Sequence, residues 1–387
     1  MRFLRRISTR RLLALCAAII AVAAAGAAIA LAAGGGAPTP LPKPLAQAIH
    51  DALGAPAVEG VTARIHFTNH LIDQSDLGEG ADPLLTGAGG RLWASRNGKL
   101  RIELQSDGGG GDSQILVDGG RFSVYDAGAG TVYRGTLPRH REHGSERTPT
   151  VARIERKLTE VMRDVDLSGA QPGNVAGRPA YTVRISPKRD GGLLGAAELA
   201  WDAVTGVPLR AAVYAAGDAS PVLELEATDI SYGRVDPSTF AINPPAGAKV
   251  VDLAPRHPRG TRAKPVEGLG AVQGKVPFKL AAPDTLGGLK RSGVRLIASD
   301  RTPAALVTYG RGLGGIAVIE SQARPKHDHG AAIGDLRLPT VAIGDARAGR
   351  ELTTALGTAI SFTRDGVDYV VLGSVTAATA EAAARGL

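Results

Sequence analysis

The spacing of apolar residues along the chain changes several times, and each change marks a different element. Residues 12–33 read LLALCAAIIAVAAAGAAIALAA, a run of 22 positions without a charge. As a helix it rises about 33 Å, enough to cross the roughly 30 Å hydrocarbon core of a bilayer. Residues 34–44, GGGAPTPLPKP, carry no period and read as an extended tether. Over residues 45–53, Leu45, Ile49 and Leu53 recur every four positions, which predicts a short amphipathic helix. From Val58 the period falls to two. Val61, Ala63, Ile65 and Phe67 alternate with Thr62, Arg64, His66 and Thr68, as in a strand with one buried and one wet face.

Leu100, Ile102 and Leu104 alternate in the same way with Arg101, Glu103 and Gln105. Asn97-Gly98 before them closes a hairpin, with Leu92 and Trp93 on the partner strand. Ile115 to Val117, Phe122 to Tyr125 and Val132-Tyr133, separated by Gly-rich turns, extend an antiparallel meander. Residues 148–163 return to helical spacing. Val151, Ile154, Leu158, Val161 and Met162 form one stripe, with Pro149 placed in the first turn, and the helix is expected to lie across the sheet. Strands are predicted at 180–185, 197–201, 209–214 and 222–230, and the first domain closes near Asp252. The Pro-, Arg- and Gly-rich stretch that follows reads as a linker. Beyond it come strands at 294–297, 304–309, 315–320, 339–343, 359–364 and 367–373, and a last helix at 377–384.

The expected plan is a basic segment at 1–11, a membrane span at 12–33, a tether at 34–44, a first domain at 45–252, a linker at 253–275 and a small C-terminal α+β domain at 276–387. The 51 glycines and 24 prolines fit many short strands joined by turns. The formal charge of +8 suits a nucleic-acid binder until it is located. Arg2, Arg5, Arg6, Arg10 and Arg11 supply five of those charges, the remaining +3 is dispersed, and no basic face interleaved with aromatics is present, so nucleic acid is not an expected partner. The same arginines hold the N-terminus in the cytoplasm and send everything after Gly34 outward. The cell-membrane anchor has one competitor, a cleaved signal peptide that leaves a secreted protein, because Ala28-Ile29-Ala30 and Ala30-Leu31-Ala32 resemble cleavage sites. The single cysteine, Cys16, lies inside the apolar run, so the exported region relies on its core without disulfides.

Candidate chemistry is sparse. Gly310, Gly312 and Gly315 satisfy a dinucleotide-binding spacing, but Ile316 to Glu320 continues as a strand where that fingerprint needs a helix, so a glycine-rich hairpin is expected. His327 to His329 and the pair His140, His143 lack third and fourth ligands, and neither a metal nor a cofactor is expected. No G-x-S-x-G elbow, H-E-x-x-H pair or P-loop occurs, so no catalytic residue is assigned and the chain is expected not to be an enzyme. Residues 71–89 are long for a hairpin and set Leu71, Ile72, Leu77, Leu84 and Leu85 among turn residues. They either gate an apolar cavity or tuck back onto the core.

Four stretches carry a family likeness: the entry helix, Gly90-Arg91-Leu92-Trp93 through Gln105, Gly177 to Val183, and Phe240-Ala241-Ile242-Asn243-Pro244-Pro245-Ala246-Gly247-Ala248. In their order they resemble the LolA-like lipoprotein-carrier superfamily, including sigma-factor regulators of the RseB/MucB type, over residues 45–252. The resemblance implies a curved antiparallel half-barrel capped by helices, whose apolar concave face holds lipid or lipoprotein acyl chains. It places Ala63, Ile65, Phe67, Leu100, Ile102 and Leu104 in the cavity wall, with Val151, Ile154 and Leu158 as its cover. Carriers of this family are soluble and have one domain, so the anchor and the C-terminal extension bring the chain nearer to the regulators. An acyl-chain carrier or envelope sensor is therefore expected. The alternatives are a regulatory protein acting on an anti-sigma factor or other envelope partner without lipid, and a cell-envelope hydrolase with an unrecognised site.

Overall fold

The computed structural model describes residues 38–73, 83–105, 112–127, 130–137, 148–189, 191–241, 247–253, 266–299, 302–323, 339–344 and 347–387. The expected membrane span, Leu77, His140, His143 and His327 to His329 lie outside them. Among the described residues no helix is long and apolar enough to cross a membrane, and no group of three or more His, Cys, Asp or Glu side chains is placed to hold a metal.

Helix α1 (Leu45–Gly54) leads into β1 (Gly60–Asn69), whose burial alternates as its sequence does. A one-turn helix α2 (Pro83–Thr86) precedes β2 (Ala88–Ser95), β3 (Leu100–Gln105), β4 (Ser113–Asp118), β5 (Arg121–Asp126) and β6 (Thr131–Thr136). Helix α3 (Val151–Val161) follows, then β7 (Val165–Leu167), β8 (Gln171–Val175), β9 (Arg178–Pro187), β10 (Leu194–Asp202), β11 (Pro208–Ala215) and β12 (Pro221–Tyr232). After a 3-10 turn at Pro237–Phe240 the chain adds β13 (Lys249–Asp252). These strands make one curled half-barrel sheet in the order β13-β6-β5-β4-β3-β2-β1-β12-β11-β10-β9-β7, with β8 beside β9. Every pairing is antiparallel except that of β13 with β6.

The middle helix departs from expectation. Thr150 caps it through its hydroxyl, which accepts from Arg153 N, so Pro149 stands outside the first turn and its carbonyl accepts from His50 Nδ1 at 2.8 Å. Helix α3 packs against α1 instead of lying across the sheet. The reason is occupancy: α1 already seals the inner face of β9 and β10, where Ala48 joins Tyr181, Val183 and Trp201 in one cluster. A helix resting on another helix buries a narrower strip than one resting on a sheet. Ile154 is buried, Val151 and Leu158 are half-buried, and Val161 and Met162 remain exposed.

The second sheet contains β14 (Thr285–Leu286), β15 (Leu289–Ser299), β16 (Thr302–Tyr309), β17 (Ile316–Gln322), β18 (Thr340–Ile343), β19 (Arg347–Thr354), β20 (Gly357–Arg364) and β21 (Val367–Gly373). Their order is β14-β15-β16-β17-β21-β20-β19-β18. Its core also takes in α4 (Leu269–Gln273) and α5 (Ala377–Arg385) through Val272, Ala380, Ala383 and Ala384. Residues 266–273 fall within the expected linker at 253–275, yet Val272 is fully buried, Glu267 bridges to Arg295, and the Leu296 amide donates to the Val266 carbonyl at 2.9 Å. The glycines at 310, 312 and 315 turn the β16–β17 hairpin, as expected. Gly310 and Gly312 have φ of 72° and 64°, and Tyr309 faces Ile316 across the ladder.

Among the described residues two backbone hydrogen bonds join the two units. The Leu193 amide donates to the Ser374 carbonyl at 3.1 Å, and the Ala355 amide donates to the Leu71 carbonyl at 2.8 Å. Gly192, at φ 62°, lies against Ser374 so closely that a Cβ there would come within 2.1 Å of the Ser374 carbonyl oxygen.

Candidate functional site

Strand register assembles the predicted apolar positions on one face. Across β12, β1, β2, β3, β4, β5 and β6 the partners run Ile230, Ala63, Leu92, Ile102, Ile115, Val124 and Tyr133. The neighbouring row runs Tyr232, Val61, Ala94, Leu100, Val117 and Phe122. Side chains alternate between faces, so Arg64, His66, Arg91, Arg101 and Glu103 point to the convex side. Two glycines shape the surface: Gly90 lets β2 and β3 close up, and Gly135 leaves room for the Phe122 ring, which a Cβ there would meet at 2.5 Å.

Burial is graded along this face. Ala63, Ile65, Leu100, Ile102 and Leu104 are buried in one cluster, with Phe67 half-buried against it. Ile115, Val117, Phe122, Val124 and Tyr133 are only half-buried, so the concave face is less covered over β4 to β6, the stretch termed the open trough. Of the expected cover, Val151, Ile154 and Leu158 are not part of the cluster on β1 and β3. The leucine loop is divided. Leu84 packs into the cluster from α2, whose Leu84 carbonyl accepts from Asn69 Nδ2 at 2.7 Å, while Leu71, Ile72 and Leu85 are half-buried.

The enclosed space is small. A cavity of about 70 Å³ lies between β1 to β3 and β10 to β12, lined by Val61, Ala63, Leu100, Leu199, Leu209 and Ile230 among others. For scale, an apolar cavity of about 150 Å³ takes one benzene. The closed half thus encloses little space, and the less covered part of the face lies over β4 to β6.

Polar chemistry flanks the face. At the end of β10 the Asp202 carboxylate, fully buried, accepts from Arg178 Nε at 2.9 Å, Tyr232 OH at 2.7 Å, Val204 N at 2.8 Å and Thr205 N at 3.0 Å. Burial is the main cause that raises the Tyr232 hydroxyl above its ordinary range. On the convex side Arg210 donates to Glu198 at 2.6 Å and to Tyr214 OH at 2.9 Å, and it pairs with Glu224 at 2.5 Å. Burial works against the Glu198 carboxylate, but hydrogen bonds from Arg210, Arg184 and Tyr214 outweigh it and hold its pKa below the usual value. Neighbouring Glu226 is shifted upward by burial and then by Glu224. Sequence reasoning missed both networks. The Asp202-Ala203-Val204-Thr205-Gly206 turn carried a usable signal, since Asp side chains fold back onto amides two and three residues on. The Arg210 network had none, because strand order alone brings β9, β10, β11 and β12 together.

No protein-family model matches the chain, and no curated protein matches it. Among solved structures it is similar to MucB in complex with MucA(peri), at 17% identity over 88% of this chain and 94% of that one, with a TM-score of 0.42. It is similar to the MucA/MucB complex of Pseudomonas aeruginosa at 17% identity over 87% and 95%, TM-score 0.41. It is also similar to a LolA superfamily protein from Nitrosomonas europaea at 14% identity over 51% of this chain and 98% of that one, TM-score 0.21. At TM-scores this low the likenesses carry no functional argument.

Proposed function

We propose that the chain is an extracytoplasmic, membrane-anchored binding protein of the envelope that takes acyl chains of lipid or lipoprotein on its concave face and performs no chemistry on them. The observation that carries this reading is the pair of apolar rows continuing from buried β1–β3 positions to half-buried ones on β4 to β6. A contiguous apolar face left partly open to solvent is the kind of patch that marks an interaction site. The arginines ahead of residues 12–33 support the outward orientation.

Detergent-free purification with native mass spectrometry tests the reading, using one variant on each half of the face. Val124→Glu puts a carboxylate in the open trough, where the fold tolerates it and an acyl chain does not. Ile102, 4% exposed, is core, and Ile102→Glu is expected to unfold the half-barrel because an unpaired charge there costs several kcal/mol. The expected result is lipid on the wild type and a folded, lipid-free Val124→Glu. A wild type that never carries lipid refutes the carrier.

A second reading draws on the 70 Å³ cavity, which leaves no closed pocket for a chain. In it the trough receives an apolar segment of an envelope protein, and the chain acts as a regulatory interaction protein. Val124→Glu then abolishes partner capture while no lipid is found on either form.

A further inference from the structure

The folded unit begins close to the expected membrane span. Asn174 Nδ2 donates to the Pro38 carbonyl at 2.9 Å, Tyr181 OH donates to the Leu41 carbonyl at 2.6 Å, and Lys43 pairs with Asp51 at 2.7 Å. Most of the stretch that reads as a tether is thus fixed to the half-barrel. Only Gly34, Gly35, Gly36 and Ala37 separate Pro38 from Ala33, the last residue of the span. Five peptide steps reach at most about 17 Å. The headgroup layer on one side takes up roughly 5–8 Å of that. Pro38 is held within about 10 Å of the headgroup surface.

Pro38 also marks a particular end of the sheet. Asn174 pairs with Pro179, and Ala180 pairs with Asp202, which opens the turn between β10 and β11. That turn abuts the last turn of α1: a Cβ on Gly206 would come within 2.5 Å of the Ala52 carbonyl oxygen. Ala52, Ala203 and Tyr181 belong to one cluster, from which the adjacent Leu53 and Val204 are left out. Leu41 is 83% exposed, Leu53 57% and Val204 42%. Three large apolar side chains therefore stand in solvent on the one rim that the chain's own connection keeps near the bilayer. The contacts with the second sheet, through Leu71 and Leu193, lie at the other end, beyond the end of β1 and before the start of β10.

We propose that this rim is a membrane-docking surface, and that Leu41, Leu53 and Val204 enter the interfacial layer of the bilayer crossed by residues 12–33. The proposal rests on the anchored, extracytoplasmic reading given above. An apolar patch of this kind gains from burial at the headgroup boundary, and a short connection removes most of the cost of bringing it there.

The test uses the full-length chain in nanodiscs of phosphatidylcholine and phosphatidylglycerol. Cys16→Ala removes the only native thiol. Leu53→Cys, Val204→Cys or Asp218→Cys then carries a single environment-sensitive fluorophore, quenched by spin-labelled lipid. Asp218 is the control, because it sits in the turn at the other end of β11, about 26 Å along an eight-residue strand. All three sites are exposed, so the labels leave the fold intact. Quenching at 53 and 204 is expected to exceed that at 218 several-fold. Equal quenching at the three sites, with the protein still co-migrating with the discs, overturns the docking rim and leaves the anchor standing. A chain that fails to stay with the discs overturns the anchor itself, and the rim with it. Labels at 53 and 204 that escape the lipid quencher while cross-linking to a second copy would assign the patch to self-association and overturn the proposal.

Discussion

Glu320→Gln should stabilise the second sheet at neutral and alkaline pH and have little effect in acid. Glu320 is fully buried on β17. One carboxyl oxygen accepts from the Ala281 amide at 2.8 Å, and the other, like the buried Tyr309 hydroxyl, has no partner among the described residues. Burial pushes its pKa from the ordinary 4.5 up to about 7, with the Ala281 hydrogen bond only partly opposing it. Between those values the folded state keeps a proton that the unfolded chain releases, so stability falls as pH rises through that window. It is fully present below about 4.5 and lost above about 7. The whole shift corresponds to roughly 3 kcal/mol. Glutamine has the same shape, accepts from Ala281 and cannot ionise. Its gain should be about 1 kcal/mol at pH 5 and roughly 3 kcal/mol at pH 8. Urea unfolding followed by far-UV circular dichroism at the two pH values measures it. Both tryptophans, Trp93 and Trp201, lie in the first sheet, so their fluorescence is an internal control that should not shift. An equal effect of the variant at pH 5 and pH 8 would refute the reasoning, since it would mean that the carboxyl does not change charge between them.

Asp202→Ala should cost the half-barrel about 3–5 kcal/mol, because Arg178, Tyr232 and two turn amides lose their shared acceptor; urea denaturation followed by Trp201 fluorescence reads it, and a loss under 1 kcal/mol would show that water replaces the carboxylate. Gly192→Ala should open the junction between the sheets, since its φ of 62° and the nearby Ser374 carbonyl both exclude a Cβ. Hydrogen exchange at the Leu193 amide should accelerate at least tenfold while amides inside β10 keep their protection, and unchanged exchange at Leu193 would refute the tight junction.

The sequence was legible where one face of a strand is wet and the other dry. The alternation at Val61 to Phe67 and Leu100 to Leu104 is a direct imprint of such a face, and the structure buries those residues accordingly. It was illegible where the buried positions are not apolar. On β19 they are Gly349 and Glu351, so the strand left no hydrophobic pattern. Strand β13 has four residues and α4 five, too short for any period; β13 is held by β6, and α4 by the Val294–Leu296 region, by Phe278 and Leu280 through Gln273, and by the core around Val272. The helical stripe at Val151, Ile154 and Leu158 showed that one face of α3 is packed but not against what. That partner is α1, more than ninety positions earlier, and the choice between helix and sheet is made by which surface α1 has already filled. The same limit hid the open half of the candidate face, because Val124 and Tyr133 join Ile102 only through strand order.

The end-to-end layout of the half-barrel bears on how a ligand would arrive. The row Tyr232, Val61, Ala94, Leu100, Val117 and Phe122 lies at the same end of the sheet as the Asp202 turn, to which Tyr232 is hydrogen-bonded. Two half-buried members of that row, Val117 and Phe122, flank the β4–β5 turn at that end. On the proposed reading, with the rim against the bilayer, an acyl chain leaving the membrane would meet the half-buried Val117 and Phe122 before the buried wall at Ile102. The second sheet, attached at the opposite end, does not stand in that path. Entry from the membrane side would need only the open trough to be free, whereas passage into the closed half would require α2 to shift from β1 and β3 or α1 from β9 and β10. On that reading, occupancy of the trough and movement of these helices would be separable events.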